Sequence, residues 1–107
     1  MWDPITRSAL EVEIQQGVNQ MSEEVRRFWD RIKIAPEKWQ EPSMGAEGGG
    51  FWVVAVLDNA IIWYNDIEEG FNTSPFTSWG SFEEYWCNQD ELQWSVQNLF
   101  KMDKTSA

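Results

Sequence analysis

Apolar and polar positions divide this chain into stretches of different period. Residues 9–15 alternate over Leu10, Glu11, Val12, Glu13 and Ile14, the period of a half-buried strand. A helical spacing runs through the same stretch, since Leu10, Ile14, Val18, Met21, Val25, Phe28 and Ile32 stand three or four apart. Two features favour a strand followed by a helix. Gly17 costs a helix interior ~1 kcal/mol relative to alanine. Ser22 followed by Glu23 and Glu24 reads as a fresh N-terminus, with a capping hydroxyl and acids facing the helix dipole. The expectation is a strand over 9–15, then a helix from about Ser22 that buries Val25, Phe28, Trp29 and Ile32 and stops before Pro36.

Residues 40–50 read as a flexible loop, with three consecutive glycines at 48–50. Beyond it, Phe51 to Leu57 is an unbroken apolar, β-branched and aromatic run, which suits a central strand covered on both faces. Asp58-Asn59 tolerate turn conformations, and Ala60 to Tyr64 return as a second strand, so residues 51–64 form a hairpin. An acidic turn over 65–70 leads to a short edge strand over 71–77, limited by Pro75. Residues 82–86 fit either a strand or a helical turn begun by Ser81 and Glu84, and both readings stand. Asn88 and Glu91 open a last helix over about 89–101, with Leu92, Val96 and Leu99 on one face, and residues 102–107 fray. These elements make one α+β domain over 1–107: an antiparallel sheet of three to five strands with two helices packed on one face.

Composition narrows the function. With 107 residues there is room for one core. No apolar run is long enough to cross a bilayer, and the N-terminus lacks the features of a secretory signal. The single cysteine, Cys87, fits a reducing compartment, so a cytoplasmic protein is expected. The net charge of −10 is unevenly placed: residues 39–100 contain ten acids and no base. Such a stretch repels nucleic acid and anionic membrane and attracts basic surfaces.

The chain has no histidine, which removes the commonest general base and the usual nucleophile pairs. Cys87 has no neighbouring base to activate it and reads as a packed thiol. Residues 65–72 resemble a calcium loop in composition, but with Gly70 at its sixth position Ile67 and Phe76 fall where ligands are required. No cofactor or metal is expected. What remains is an interleaving of aromatics and acids. Trp63, Tyr64 and Phe71 stand among Asp66, Glu68 and Glu69, and Glu83, Glu84, Asp90 and Glu91 follow. Aromatic anchors supply interface energy, and acids beside them steer a basic partner. These ten residues are the expected partner-binding set of a non-enzymatic module. In size, acidity and aromatic content the chain is similar to small bacterial immunity proteins that neutralise basic toxins. That resemblance implies an inhibitor of a basic protein. One alternative is a small-ligand or carbohydrate-binding module stacking its ligand on Trp63, Trp79 and Trp86. Another is a hydrolase built on the Glu68-Glu69 and Glu83-Glu84 pairs.

Overall fold

A computed structural model describes residues 4–42, 49–83 and 90–106, with side chains to residue 103. Three helices and four strands follow in the order α1 (Arg7–Asn19), α2 (Glu23–Ile32), β1 (Lys33–Trp39), β2 (Phe51–Leu57), β3 (Ala60–Asn65), β4 (Gly70–Pro75) and α3 (Leu92–Ser106). The strands form one antiparallel sheet in the order β1-β2-β3-β4. The class is therefore α+β with an antiparallel sheet, and the described residues carry three helices where two were expected.

The extra helix is α1, and it overturns the strand expected at 9–15. Thr6 caps it, its Oγ1 accepting from the Ala9 N–H at 3.1 Å. A strand would have put Leu10, Val12 and Ile14 on one face. In the helix Leu10 is buried and Ile14 packs on the core, while Val12 turns outward at 56% exposure. Gly17, which argued against a helix, is buried against the first residue of α3: a Cβ there would lie 2.6 Å from Leu92 Cβ. The glycine admits a neighbouring helix at close range.

The second helix begins where the sequence places it. Ser22 Oγ accepts from the Val25 N–H at 3.2 Å, and Val25, Phe28, Trp29 and Ile32 are buried. It passes directly into β1 at Lys33, because Pro36 disfavours helical backbone at Ala35. That strand went unanticipated. Pro36 is tolerated in it because β1 is an edge and its register with β2 is irregular between Lys33 and Glu37. The hairpin β2–β3 forms as expected, with Leu57 opposite Ala60 and Val53 opposite Trp63, and Asp58 adopts a left-handed φ of 52° in its turn. The edge strand expected at 71–77 is β4. The last helix starts later and runs further than expected, from Leu92 through Ser106. The Asn88 cap, most of the 82–86 segment and residues 43–48 of the loop expected over 40–50 lie outside the described residues.

Two buried clusters flank the sheet, as the all-apolar β2 requires. Val54, Ala55, Ile62, Tyr64 and Phe71 join residues from all three helices, among them Leu10, Phe28, Trp29, Leu92 and Val96. Phe51, Val53, Ile61 and Trp63 join Trp39 and Phe82 in the other. This second cluster is aromatic, with ring centroids 4.7 Å apart for Phe51–Trp63 and 4.9 Å for Trp63–Phe82. Phe82 is held over it where the Phe82 N–H donates to the Gln40 carbonyl and the Gln40 N–H to Gly80. No helix among the described residues is long and apolar enough to cross a membrane.

Candidate functional site: an acidic pocket beside an exposed tryptophan

The coverage of both sheet faces decides the fate of the expected aromatic anchors. Trp63, Tyr64 and Phe71 are core residues, not exposed contacts. Trp63 is wholly buried, with its indole N–H donating to Ser74 Oγ at 2.9 Å. Tyr64 and Phe71 pack edge to face with centroids 5.0 Å apart. A strand in the interior of a doubly covered sheet sends both of its alternating faces into apolar surroundings, so β3 has no free side to offer.

The acids separate into distinct roles. Asp66 is buried, and its Oδ2 accepts from the Ile5 N–H at 2.9 Å. The Trp52 indole donates to the Ile5 carbonyl at 3.1 Å, so this carboxylate helps moor the segment before α1. Burial raises the Asp66 carboxyl above its ordinary range, against the opposing pull of the Ile5 and Asp66 N–H groups and of Lys38. Glu68 sits half-buried in the turn, where Asn65 Oδ1 accepts from the N–H groups of both Ile67 and Glu68 at 3.1 Å. Glu83 is exposed, and Glu84 lies outside the described residues.

Glu69, Asp90 and Glu91 come together although twenty residues separate them. Glu69 has a left-handed φ of 60° at the end of the β3–β4 turn, a conformation uncommon outside glycine and asparagine. Asp90 is held beside β4 by the Phe71 N–H, which donates to the Asp90 carbonyl at 2.8 Å. Glu91 immediately precedes α3, and its carbonyl accepts from Trp94 at 3.1 Å. With Glu13 of α1 they surround a pocket of about 70 Å³, whose remaining lining includes Tyr64, Phe71, Gly17 and Gln93 and, among the described residues, contains no base. Tyr64 registers this field: its hydroxyl is pushed up to about 12, by burial first and then by Glu13, Glu69 and Asp66. The dipole of α3 favours acids at its start and accounts for Asp90 and Glu91. It does not account for Glu13 or Glu69, which come from other elements.

An aromatic anchor stands next to this pocket, but not one of those expected. Trp94 is 52% exposed on the first turn of α3. It borders a groove of about 200 Å³ with Gln20, Met21 and Gln97, and Gln93 is a wall common to groove and pocket. The signal was present in the helical period: Leu92, Val96 and Leu99 define the buried face, and Trp94 stands two residues from Leu92, on the other side. Glu13 was missed because a strand reading of 9–15 gives it no relation to residues 69 or 91.

Trp79 is the other exposed tryptophan among the described residues, at 58%. Its ring packs 5.1 Å from Trp39, and both indole N–H groups donate to Glu37 Oε1, at 3.0 and 3.2 Å. Trp86 lies outside the described residues. A separate groove of about 560 Å³ runs between α1, α2 and β1, with charges of both signs from Glu11, Asp30, Arg26 and Lys33.

No family model, curated protein or solved structure matches the chain.

Proposed function

We propose that this chain is a non-catalytic binding module for a basic protein, with the acidic pocket and Trp94 as its contact surface. The observation that carries the reading is the convergence of Glu13, Glu69, Asp90 and Glu91 from three parts of the chain around one pocket with no base among its described lining residues. Like charges gathered without counter-charge cost stability through mutual repulsion, and a basic partner removes that cost on binding. Trp94 adds an apolar contact beside them, the combination typical of an interface anchor with a charged rim. An inhibitor or immunity-type role against a basic toxin is one form of this reading, and a cytoplasmic setting accords with it.

Capture of binding proteins from cell extract on immobilised chain, at low and high salt, tests the proposal. Proteins held by the wild type at low salt should be basic, and Glu69→Lys with Glu91→Lys should lose them. With the captured protein purified, the double reversal should slow association and flatten its salt dependence. Folding should change by no more than about 0.5 kcal/mol per substitution. Trp94→Ala should instead speed dissociation. Retention of the same proteins by the double reversal at unchanged rates would refute the proposal.

A small-ligand module is the second reading, favoured by the volume of the groove between α1, α2 and β1, since ligand sites span about 300–1,000 Å³. Its one tryptophan, Trp29, is buried and offers no open ring face for stacking. A tryptophan fluorescence titration against sugars and organic cations decides between the two readings.

A further inference from the structure

Within the acidic pocket one buried group is unaccounted for. Gln93 is only 7% exposed, yet its side-chain oxygen has no hydrogen-bond partner among the described residues. A buried acceptor left unpaired costs about 1–3 kcal/mol. That oxygen lies beside Gly17, 3.4 Å from where a Cβ would stand, and both residues line the pocket. Gln93 is therefore a buried part of the wall that the pocket shares with the groove beside Trp94. Rotation of its terminal amide is soft and turns the oxygen toward an occupant. The occupant these groups ask for is positively charged and donates several N–H bonds.

Size narrows the choice. About 70 Å³ is room for roughly two waters at ~30 Å³ each, far below the volume of a site for a sugar or nucleotide. The acceptors come from α1, from the β3–β4 turn and from the start of α3, so they stand on several sides of the pocket. A guanidinium group has five N–H donors in a planar fork that can meet several acceptors at once, whereas an ammonium is a compact point charge with three. We propose that this pocket is a receptor for a single arginine side chain of the basic partner, its guanidinium held by Glu13, Glu69, Asp90 and Glu91 and one of its N–H groups by Gln93. This rests on the binding-module reading above and adds which partner residue enters and which buried group on this chain receives it.

The test is an NMR titration of the full chain with acetyl-Gly-Arg-Gly-amide, its citrulline counterpart and methylguanidinium. The arginine peptide should bind saturably and shift the amides of Gly17 and Gly70 and the side-chain amide of Gln93. Citrulline, which has the same shape without the charge, should leave them in place. Gln93→Leu removes the buried acceptor and should weaken arginine binding about five-fold, the equivalent of one hydrogen bond. It should not lower the melting temperature, because the unpaired polar group is gone; a purely structural Gln93 would change stability and leave binding intact. Equal shifts from citrulline, shifts spread over the acidic surface without saturation, or unchanged binding in Gln93→Leu would overturn the proposal. Methylguanidinium binding as tightly as the peptide would overturn its assignment to a protein side chain. Failure here, with salt-dependent partner capture still lost in the Glu69→Lys/Glu91→Lys variant, leaves the binding-module reading standing and removes only the arginine pocket.

Discussion

Gly17→Ala sets helix propensity against packing at the joint that closes the acidic pocket. Alanine in a helix interior is favoured over glycine by ~1 kcal/mol, and α1 is regular at this position, so local energetics predict stabilisation. The tertiary structure predicts the reverse. The new methyl would lie 2.6 Å from Leu92 Cβ and 3.3 Å from Leu92 Cδ2. Carbon atoms pack at about 3.5–4.0 Å, so the two helices must separate by about 1 Å. Leu92 Cβ is fixed to the backbone of α3 and cannot swing aside. Overpacking of this kind costs about 1–3 kcal/mol, which leaves a net destabilisation of about 1 kcal/mol after the propensity gain. Urea unfolding should show a lower midpoint at unchanged m, and melting should fall by about 4 °C. Leu92→Ala should not rescue the variant, because the closest contact is with Cβ, which alanine retains. The same separation carries Glu13 away from Glu91 and Gln93, so partner association should weaken as well. A stabilised Gly17→Ala protein would refute the close approach of α1 to α3 and the pocket geometry that depends on it.

Three further outcomes follow from the same structure. Glu69→Gly relieves a left-handed backbone that costs a side-chain-bearing residue about 1–2 kcal/mol, so urea unfolding should show a more stable protein, while association with the basic partner slows because a pocket carboxylate is lost. The Tyr64 phenol keeps its proton to about 12 in the native state and to its ordinary 10.0 when unfolded, so stability should fall as pH rises between those values; ultraviolet titration should resolve a native phenolate step near 12 that Tyr64→Phe abolishes. Asp66 holds its proton above its ordinary 3.8 in the native state, so its contribution to stability is greatest at acid pH and is lost as pH rises through the native value; the stability advantage of the wild type over Asp66→Asn, read from urea midpoints, should shrink as pH rises above 3.8.

Local patterning alone determines the parts of this protein whose energetics are local. The helix at Ser22 follows from its cap and first-turn acids, and the hairpin at 51–64 from a continuous apolar run, a two-residue turn and a second apolar run. The clustering of acids beyond residue 38 is legible as charge, because charge does not depend on the fold. Tertiary structure decided the rest. Residues 9–15 carry both periods, and a helix results because the i, i+4 spacing of Leu10, Ile14 and Val18 meets a core that the alternating pattern would have missed. Gly17 reads as a helix breaker in isolation and as a helix contact once α3 lies against it. Which aromatics face solvent is a matter of how many sides of a strand are covered: β3 is covered on both, so Trp63 and Tyr64 are core, and among the described residues the exposed ring near the acids is Trp94. The pocket itself brings Glu13 to Glu69 and Glu91, and it forms because the Phe71–Asp90 backbone bond and the Gly17–Leu92 contact bring β4 and α1 to the start of α3. No local period encodes a contact between residues so distant in the chain, since it depends on where each element is packed.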